Sequence, residues 1–239
     1  MSDYKPIPCM VLAAGRGERM RPLTDHTPKP LLEVQGKKLI DWHIAGLTQS
    51  GHQQIVINHA WLGQQIVDHL SPLNSQGIDI KFSKEDCALE TAGGLRQAMS
   101  LMPIDDYFFA INGDVYCPEF PFHKIKDLVL RMRAMPSKPL AYLFLVENPS
   151  HHTLGDFQLL GDLVKDKDAN CHSLTFSGAG LYHQDLLKSI KIGTMAKLAP
   201  ILRQAMPEER VLGECLTVPW VDVGTPERLA ELNKNHDKQ

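Results

Sequence analysis

The chain has 239 residues, of which 43% are hydrophobic and 22% are charged, a composition typical of a globular protein with one α/β domain or one with a small appendage. The net charge of −3 argues against a broad nucleic-acid-binding surface, so no nucleic-acid partner is expected. The five cysteines include no C-x-x-C pair, which indicates neither a disulfide framework nor a zinc ribbon and fits a cytoplasmic location. Without a signal-peptide core or a long apolar run, we expect no membrane segment.

The N-terminal third of the chain alternates between apolar runs and helical patterns. Residues 9–14 form a short apolar run that ends at a glycine, which predicts a buried strand. A helical repeat over 39–47, a strand at 54–57, a second helical repeat over 62–70 and an alternating stretch at 78–82 follow. This order predicts a Rossmann-like, mostly parallel sheet flanked by helices, with ligands at the carboxyl ends of the strands.

Gly15 and Gly17 turn the chain directly after the first strand, where glycine allows backbone N–H groups to approach a ligand closely. Four cations follow in this loop: Arg16, Arg19, Arg21 and Lys29. Met20 replaces the third glycine of a dinucleotide fingerprint, and Pro30 follows Lys29 where a P-loop needs Ser or Thr. A glycine-rich surface turn is the alternative, but the preceding strand and the prolines on both sides of Lys29 favour a triphosphate site.

A glycine-rich segment precedes the next helical repeat. Thr91 is a candidate N-cap for that helix, and Gly93 and Gly94 lower its helix propensity. Two glycines at this place favour a flat base lying against bare backbone. A flexible loop ahead of an amphipathic helix is the alternative.

The apolar run at 107–111 predicts the central strand, which leads to Asn112 and Asp114. A carboxylate at the carboxyl end of a buried parallel strand can bind Mg²⁺ through oxygen. An aspartate in an ordinary turn is the alternative, since Asn-Gly and Gly-Asp both favour turns.

The second half of the chain is richer in strands. Residues 140–146 predict a buried strand, Gly161 and Asp162 predict a hairpin turn, and 174–182 predict a strand with small residues at a close approach. Residues 195–203 predict a helix broken near Pro200. Thr225 predicts the N-cap of the last helix, with proline at its first position.

Two local patterns suggest other functions and are weak. His151 and His152 are adjacent and lack a further ligand at metal-binding spacing, so a loop contact or a solvated pair fits better than a metal site. The single Trp-Val-Asp at 220–222 lacks the repeat of a propeller.

Residues 12–30 carry L-A-A-G-x-G-x-R-x-x-P-L-T followed by P-K-P, a motif that resembles the signature of the sugar-1-phosphate nucleotidyltransferases. Further segments resemble the branch of that family that acts on N-acetylmuramate-1-phosphate: I-N-H-A-W-L-G at 57–63, L-E-T-A-G-G at 89–94, N-G-D-V at 112–115, N-P-x-H-H at 148–152, G-D-F at 155–157, L-T-F-S-G at 174–178 and W-V-D-V-G-T at 220–225. Together these segments extend over nearly the whole chain.

The resemblance implies one nucleotidyltransferase domain over 1–239, with a nucleotide-binding half at about 9–115 and a small β-rich, sugar-phosphate-binding half at about 116–239. It implies an enzyme that makes UDP-N-acetylmuramate and pyrophosphate from UTP and N-acetylmuramate-1-phosphate in cell-wall recycling. Mg²⁺ is the implied cofactor, with Asp114 and Asp222 as its ligands. The oligomeric state stays open.

Site residues are implied residue by residue. The catalytic candidates are Arg19, Lys29 and Asp114. The nucleotide-binding candidates are Leu12, Ala14, Gly15, Gly17, Glu18, Arg19, Lys29, Glu90, Thr91, Gly93 and Gly94. The sugar-phosphate candidates are Asn112, Glu147, Asn148, Asp156, Gly178 and Lys197.

Lys197 is the first cation to test as a partner for the lactyl carboxylate of the sugar, although this residue by itself fits a solvated lysine on a helix slightly better. Two other functions stay open. One is a glucose- or mannose-1-phosphate nucleotidyltransferase, and the other is a nucleotide-sugar sensor without catalysis, which would have no need for Arg19, Lys29 and both aspartates together.

Overall fold

The computed structural model describes residues 7–168 and 171–234. The strands, in chain order, are β1 (Cys9–Leu12), β2 (Glu33–Val34), β3 (Lys37–Lys38), β4 (Gln54–His59), β5 (Asp79–Lys84), β6 (Tyr107–Asn112), β7 (Val115–Tyr116), β8 (Ala141–Val146), β9 (Phe157–Leu160), β10 (Leu163–Asp166), β11 (Thr175–His183), β12 (Val211–Cys215) and β13 (Val221–Asp222). The α-helices are α1 (Leu39–Gln49), α2 (Gly63–Leu70), α3 (Glu90–Ala98), α4 (Ile125–Ala134), α5 (Leu198–Ala205) and α6 (Pro226–Lys234).

Within the described residues, nine strands form one sheet in the order β5-β4-β1-β6-β11-β8-β12-β10-β9. The first four strands of this order pair in parallel, as do β8 and β12. Antiparallel pairing begins at β11, which lies between β6 and β8. The predicted Rossmann-like sheet is therefore confirmed, and the antiparallel strands come from the strand-rich second half of the chain.

Helices cover both faces of the sheet. Since successive side chains of a strand point to opposite faces, each central strand contributes to two cores. In β1, Cys9 and Val11 belong to the core with α1, α2 and α4, whereas Met10 belongs to the core with α3 and α5. The long apolar runs predicted as strands are thus buried on both sides. A third, smaller cluster joins Val34, Tyr116 and Leu229 beside α6.

Several local predictions are confirmed by the backbone. Gly51 follows α1 with a φ of +84°, and Gly161 turns the hairpin between β9 and β10 with a φ of +65°. The hydroxyl of Thr225 accepts a hydrogen bond from the Arg228 N–H at 3.4 Å, at the start of α6.

Two helix starts were predicted incorrectly. Thr91 is not an N-cap, because α3 already begins at Glu90 and has no side-chain capping bond. The helix near Pro200 begins only at Leu198, so 195–197 lie outside it. Pro200 falls in the first turn of α5, where its missing N–H costs no helical hydrogen bond, and it does not break the helix.

No helix in the described ranges has the length and apolar character that a membrane span requires.

Candidate nucleotide and sugar-phosphate site

The carboxyl ends of β4, β1 and β6 lie side by side, since Leu12 pairs in register with Asn58 on one side and Asn112 on the other. Loops that follow parallel strands collect at this edge. A cavity of about 430 Å³ opens there, and we refer to it as the first cavity. It is lined by Leu12, Ala13, Ala14, Gly15, Gly17, Glu18, Arg19, Met20, Lys29, Pro30, Asn58, Glu85, Ala88, Leu89, Glu90, Thr91, Asn112, Asp114 and Gly224.

The glycine turn shapes the entrance to this cavity. Gly17 has a φ of +67°, and a Cβ there would approach the side chains of Thr24 and Lys29 to 3.1–3.2 Å. Gly15 has open space where a Cβ would stand. The turn is fixed from behind, because the Thr24 hydroxyl donates to the Gly17 carbonyl at 2.8 Å. Both glycines line the cavity, so their backbone atoms border it directly.

The four cations of the loop divide into two groups. Arg19 and Lys29 line the first cavity. Arg16 and Arg21 instead bond to Asp25, at 3.0 and 2.8 Å, and the Arg16 guanidinium lies 4.0 Å from the centre of the Trp61 ring. These contacts hold the pKa of Asp25 below its usual value, with the Arg16 bond as the largest cause.

Lys29 is an enclosed cation in the wall of the first cavity. Its side chain is 9% exposed, and Nζ donates to Asp114 Oδ2 at 2.7 Å. The Asp114 side chain is 42% exposed, so water reaches the carboxylate while the ammonium is enclosed. Lys29 thus supplies a fixed positive charge, and Asp114, directly beside it, supplies carboxylate oxygens that a ligand can reach.

Asp222 is brought close to Asp114 by a short two-stranded sheet. In it, β13 pairs with β7, Asp222 lies opposite Val115, and the Val223 N–H donates to the Asp114 carbonyl at 2.9 Å. The two predicted metal ligands are thus brought together by this small sheet, Asp222 on β13 and Asp114 directly before β7. Asp222 itself does not line the first cavity, whereas Gly224, two residues further on, does.

The two oxygens of the Asp222 carboxylate face different residues. Its Oδ2 accepts from the Arg228 guanidinium. Its Oδ1 is buried and has no hydrogen-bond partner among the described residues, although His151 Nε2 lies 2.8 Å away at ion-pair distance. His151 therefore makes a loop contact, as expected from the sequence, and that contact is with a proposed metal ligand.

The described residues contain no cluster of three or more His, Cys, Asp or Glu side chains that could hold a metal ion. Mg²⁺ is usually bound by only one or two carboxylates, together with phosphate oxygens and water. The accessible carboxylate of Asp114 fits that kind of site, and Asp222 Oδ1, which His151 approaches, is the candidate for a second ligand.

Two buried polar residues in the first cavity escaped sequence analysis. Asn58 Oδ1 accepts from the Ala13 N–H at 2.7 Å, and Asn58 Nδ2 donates to Glu85 Oε1 at 2.7 Å. Glu85 Oε2 accepts from the Leu89 N–H at 2.9 Å. Burial raises the pKa of the Glu85 carboxyl, and these hydrogen bonds partly offset the rise. Asn58 could have been found from its place at the end of a buried strand, like Asp114.

The glycines of α3 have a different role from the one predicted. Neither Gly93 nor Gly94 lines the first cavity. The Gly93 N–H donates to the Ala196 carbonyl at 3.1 Å, and a Cβ there would lie 2.4 Å from the Thr194 carbonyl oxygen. A Cβ on Gly94 would lie 2.8 Å from both Asn58 and Glu85. Both positions need glycine because other protein atoms pack against them, which is a correction to the predicted contact with a base.

A second cavity has a volume of about 330 Å³. Glu90, Thr91 and Asn112 line both cavities, so the two adjoin at these residues. The other lining residues are Asp156, Phe157, Phe176, Lys197, Leu198, Ala199, Leu202 and Arg203. Three sugar-phosphate candidates, namely Asn112, Asp156 and Lys197, are brought together here.

The other three sugar-phosphate candidates lie outside the lining of both cavities. Glu147 is exposed and lies 3.5 Å from His172. Asn148 is bonded within the loop, donating to the carbonyls of Thr153 and Ser173. Gly178 has a φ of +85° and lies directly beneath Asn112, because a Cβ would be 2.8 Å from Asn112 Nδ2. Gly178 thus sets the position of a lining residue.

The glycine turn brings an exposed arginine, Arg19, and an enclosed lysine, Lys29, to one cavity, next to a carboxylate pair and a second cavity. Such an arrangement suits an enzyme that handles a nucleotide and a second substrate. The chain belongs to the nucleotidyl transferase family, whose model matches residues 9–239. A relative in Neisseria meningitidis, an N-acetylmuramate alpha-1-phosphate uridylyltransferase, is 48% identical over 224 residues, covering 93% of this chain and 95% of the relative.

More distant relatives share the family. An N-acetylmuramate alpha-1-phosphate uridylyltransferase of Caulobacter vibrioides is 30% identical, with 91% of this chain and 92% of the relative covered. A mannose-1-phosphate guanylyltransferase catalytic subunit beta of Drosophila pseudoobscura pseudoobscura is 26% identical, and the match spans 91% of this chain but 59% of that relative. The fold matches that of a glucose-1-phosphate thymidylyltransferase structure from Bacillus anthracis, with a TM-score of 0.80 at 20% identity, over 98% of this chain and 96% of that one.

Proposed function

We propose that this enzyme transfers a uridylyl group from UTP to N-acetylmuramate-1-phosphate and releases pyrophosphate, in the recycling of cell-wall sugars. The names of two relatives that are matched over more than nine-tenths of their length support this reaction. The structural observation that carries it is a pair of adjoining cavities, which share Glu90, Thr91 and Asn112 in their walls. Two substrates can lie in them and meet beside Lys29 and Asp114.

In the proposed step, a phosphate oxygen of the sugar phosphate attacks the α-phosphorus of UTP. The bond between that phosphorus and the oxygen leading to the β-phosphorus breaks, and pyrophosphate departs with the electron pair. This chemistry requires positioning and charge neutralisation rather than a covalent intermediate. No serine or cysteine nucleophile is needed.

The glycine turn and its two cavity-lining cations hold the triphosphate. Backbone at Gly15 and Gly17 faces the β- and γ-phosphates together with Arg19, which carries planar donors suited to phosphate oxygens. Lys29 meets the negative charge that grows on the α-phosphate. Because its ammonium is already fixed by Asp114, little reorganisation is needed when the reaction begins.

Asp114 and Asp222 are the residues that would hold Mg²⁺. When bound, this cation neutralises charge on the α-phosphate and the sugar phosphate and favours an in-line arrangement of the two. Lys29 and Arg228, which are the partners of the two carboxylates in the structure, keep these side chains in place.

The remaining assignments follow the cavities. Leu12, Ala14, Glu18, Glu90 and Thr91 form the wall for the nucleoside and phosphates. Asn112, Asp156 and Lys197 form the wall for the sugar phosphate. Glu147, Asn148 and Gly178 act through the loop and strand that support this wall.

Replacing Lys29 with methionine tests the proposed mechanism. Loss of one preorganised charge at a developing anion costs about 3–4 kcal/mol, so turnover should fall by about 100- to 1,000-fold. Lys29→Met should keep the fold, because Asp114 is exposed enough for water to replace its partner. The measurement is steady-state pyrophosphate release, with thermal unfolding to verify folding.

The matched control is Lys188→Met. The side chain of Lys188 is 71% exposed and pairs with Asp185 on the surface, so this variant should retain wild-type turnover. A near-normal rate for Lys29→Met would contradict its assigned role.

A further inference from the structure

The wall of the second cavity contains a cation that sequence analysis did not single out. Ala199, Leu202 and Arg203 all line this cavity, and their spacing places them on one face of α5. Leu202 is buried and fixes the orientation of that face. The Arg203 side chain is 38% exposed. The helix therefore presents a guanidinium to the cavity from a rigid element.

The Arg203 guanidinium is anchored at one side and free at the other. Its Nε donates to Asp166 Oδ1 at 2.8 Å, and its central carbon lies 5.4 Å from the centre of the buried Phe157 ring. Its two Nη groups have no hydrogen-bond partner among the described residues. An arginine held in this way loses little further conformational freedom when it binds a ligand.

Free guanidinium N–H groups in a partly buried wall suit a planar anion such as a carboxylate, which accepts two parallel hydrogen bonds. The triphosphate has its own cations, Arg19 and Lys29, in the first cavity, and the phosphate of the sugar is assigned to the Mg²⁺ that Asp114 and Asp222 would hold. Apolar side chains line much of the second cavity, including Phe176 and Leu198. This lining fits a sugar ring with a short branched substituent and one carboxylate better than it fits a polyphosphate.

We propose that Arg203 binds the carboxylate of the lactyl ether on the sugar substrate and thereby determines which sugar phosphate the enzyme uses. This inference rests on the proposed function, because N-acetylmuramate differs from N-acetylglucosamine by that ether. Lys197 is the second cation of the wall. It is exposed at the start of α5 and has no ion-pair partner in the described ranges, so it attracts the same carboxylate with a less fixed geometry.

The second cavity is not simply basic, since Glu90 and Asp156 also line it. Asp156 is engaged elsewhere: its Oδ2 accepts from the Phe176 N–H at 2.9 Å, and its Oδ1 lies 3.1 Å from His152. The position of the free Nη groups, rather than net charge, therefore selects the anion.

The test compares wild type, Arg203→Met, Arg203→Lys and Lys197→Met on two substrates, N-acetylmuramate-1-phosphate and N-acetylglucosamine-1-phosphate. Arg203→Met keeps the apolar stem over Phe157 and removes the donors. It should lower kcat/KM for the muramate substrate by about 10- to 100-fold, the loss typical when a site loses its partner for a charged group. The loss on the glucosamine substrate should be at least about tenfold smaller. Lysine at 203 should restore part of the preference, and Lys197→Met should have a smaller effect.

Equilibrium binding of UDP-N-acetylmuramate and UDP-N-acetylglucosamine by calorimetry gives a second readout that does not depend on turnover. Arg131→Met is the matched control, because Arg131 pairs with Asp162 on the surface of α4 and lines neither cavity. That variant should keep the wild-type preference.

Two results for Arg203→Met would overturn the inference and leave the proposed function intact. An equal loss on both sugars would make the residue structural, and no loss on either sugar would show that it does not read the carboxylate. The wild-type enzyme is measured first. If its kcat/KM shows no preference for the muramate substrate, the proposed function and this inference are overturned together.

Discussion

Lys29 is a charged side chain that the fold encloses almost completely, and Asp114 explains why it can stay there. An ammonium buried without a partner would cost several kcal/mol or lose its proton. The 2.7 Å contact with Asp114 compensates the charge in the free enzyme, and phosphate oxygens can share that role when a substrate is bound. The residue thus combines burial, which strengthens electrostatics, with a fixed position.

His43 leads to a prediction about pH and stability. This histidine lies in α1, and burial lowers its pKa to about 4. Between about pH 6.5 and 4 the unfolded chain takes up a proton at this position and the folded chain does not, so the free energy of unfolding falls as pH falls through that window. The full effect of this one residue is about 3 kcal/mol.

Replacing His43 with phenylalanine or glutamine removes this proton linkage. Chemical denaturation at a series of pH values should then show a shallower loss of stability between pH 6.5 and 4 than wild type. His123, an exposed histidine in the turn before α4, offers a control whose replacement should leave the slope unchanged. An identical slope in wild type and both His43 variants would contradict the assignment.

At the scale of elements, the two-stranded sheet of β7 and β13 positions both proposed metal ligands. It joins residues that are more than a hundred positions apart in the chain and places Asp222, on β13, next to Asp114, the residue that directly precedes β7. Each carboxylate has a cationic partner, Lys29 or Arg228. The two loops that carry these strands are thereby tied together at the edge of the first cavity.

Asp114→Asn and Asp222→Asn test whether the two carboxylates hold one ion. Each change keeps the shape and removes a charged oxygen ligand, so each should weaken Mg²⁺ affinity by at least about tenfold, a loss seen even for groups that only support a ligand. If both act on one ion, the double variant should be little worse than either single variant. The measurements are calorimetric Mg²⁺ binding with UTP present and the Mg²⁺ dependence of turnover. Strictly additive losses, or full activity in EDTA, would contradict a shared ion.

The register of β11 against β8 shifts between Phe176 and Ala179, and Gly178, which lies in this bulge, provides a second prediction. Gly178→Ala forces a residue with a Cβ to adopt a φ of +85° and drives that Cβ against Asn112. Gly161→Ala in the hairpin is a matched control, because Gly161 also has positive φ but has open space around it. Both variants should lose about 1 kcal/mol or more of folding stability in denaturant titrations.

Only Gly178→Ala should also raise KM for the sugar phosphate, because Asn112 lines both cavities. Equal kinetic effects of the two variants would show that Asn112 is not positioned by Gly178.

At the scale of the whole molecule, the sequence predicted elements better than it predicted contacts. Buried strands such as 107–111 and the hairpin at Gly161 follow from patterns that repeat over a few residues. The Lys29–Asp114 pair joins residues 85 positions apart, so no local pattern contains it. The resemblance, and not periodicity, brought these residues together before the structure did.

The errors and omissions have physical reasons. Gly93 and Gly94 were assigned to a base because glycine permits any close approach, and the sequence does not say whether a ligand or another protein segment approaches. Arg203 was overlooked because a helical repeat identifies the buried face but not which of the neighbouring polar residues borders a cavity. Glu85 follows the end of β5, where no motif distinguished it from an exposed turn.

The most direct test of the proposed reaction is a pyrophosphate-release assay on the wild-type enzyme, with each of four nucleoside triphosphates and three sugar phosphates. UTP with N-acetylmuramate-1-phosphate should exceed UTP with N-acetylglucosamine-1-phosphate or glucose-1-phosphate by at least about tenfold in kcat/KM, which corresponds to roughly 1.4 kcal/mol. Equal use of the three sugars, or a preference for another nucleotide, would contradict the proposed reaction.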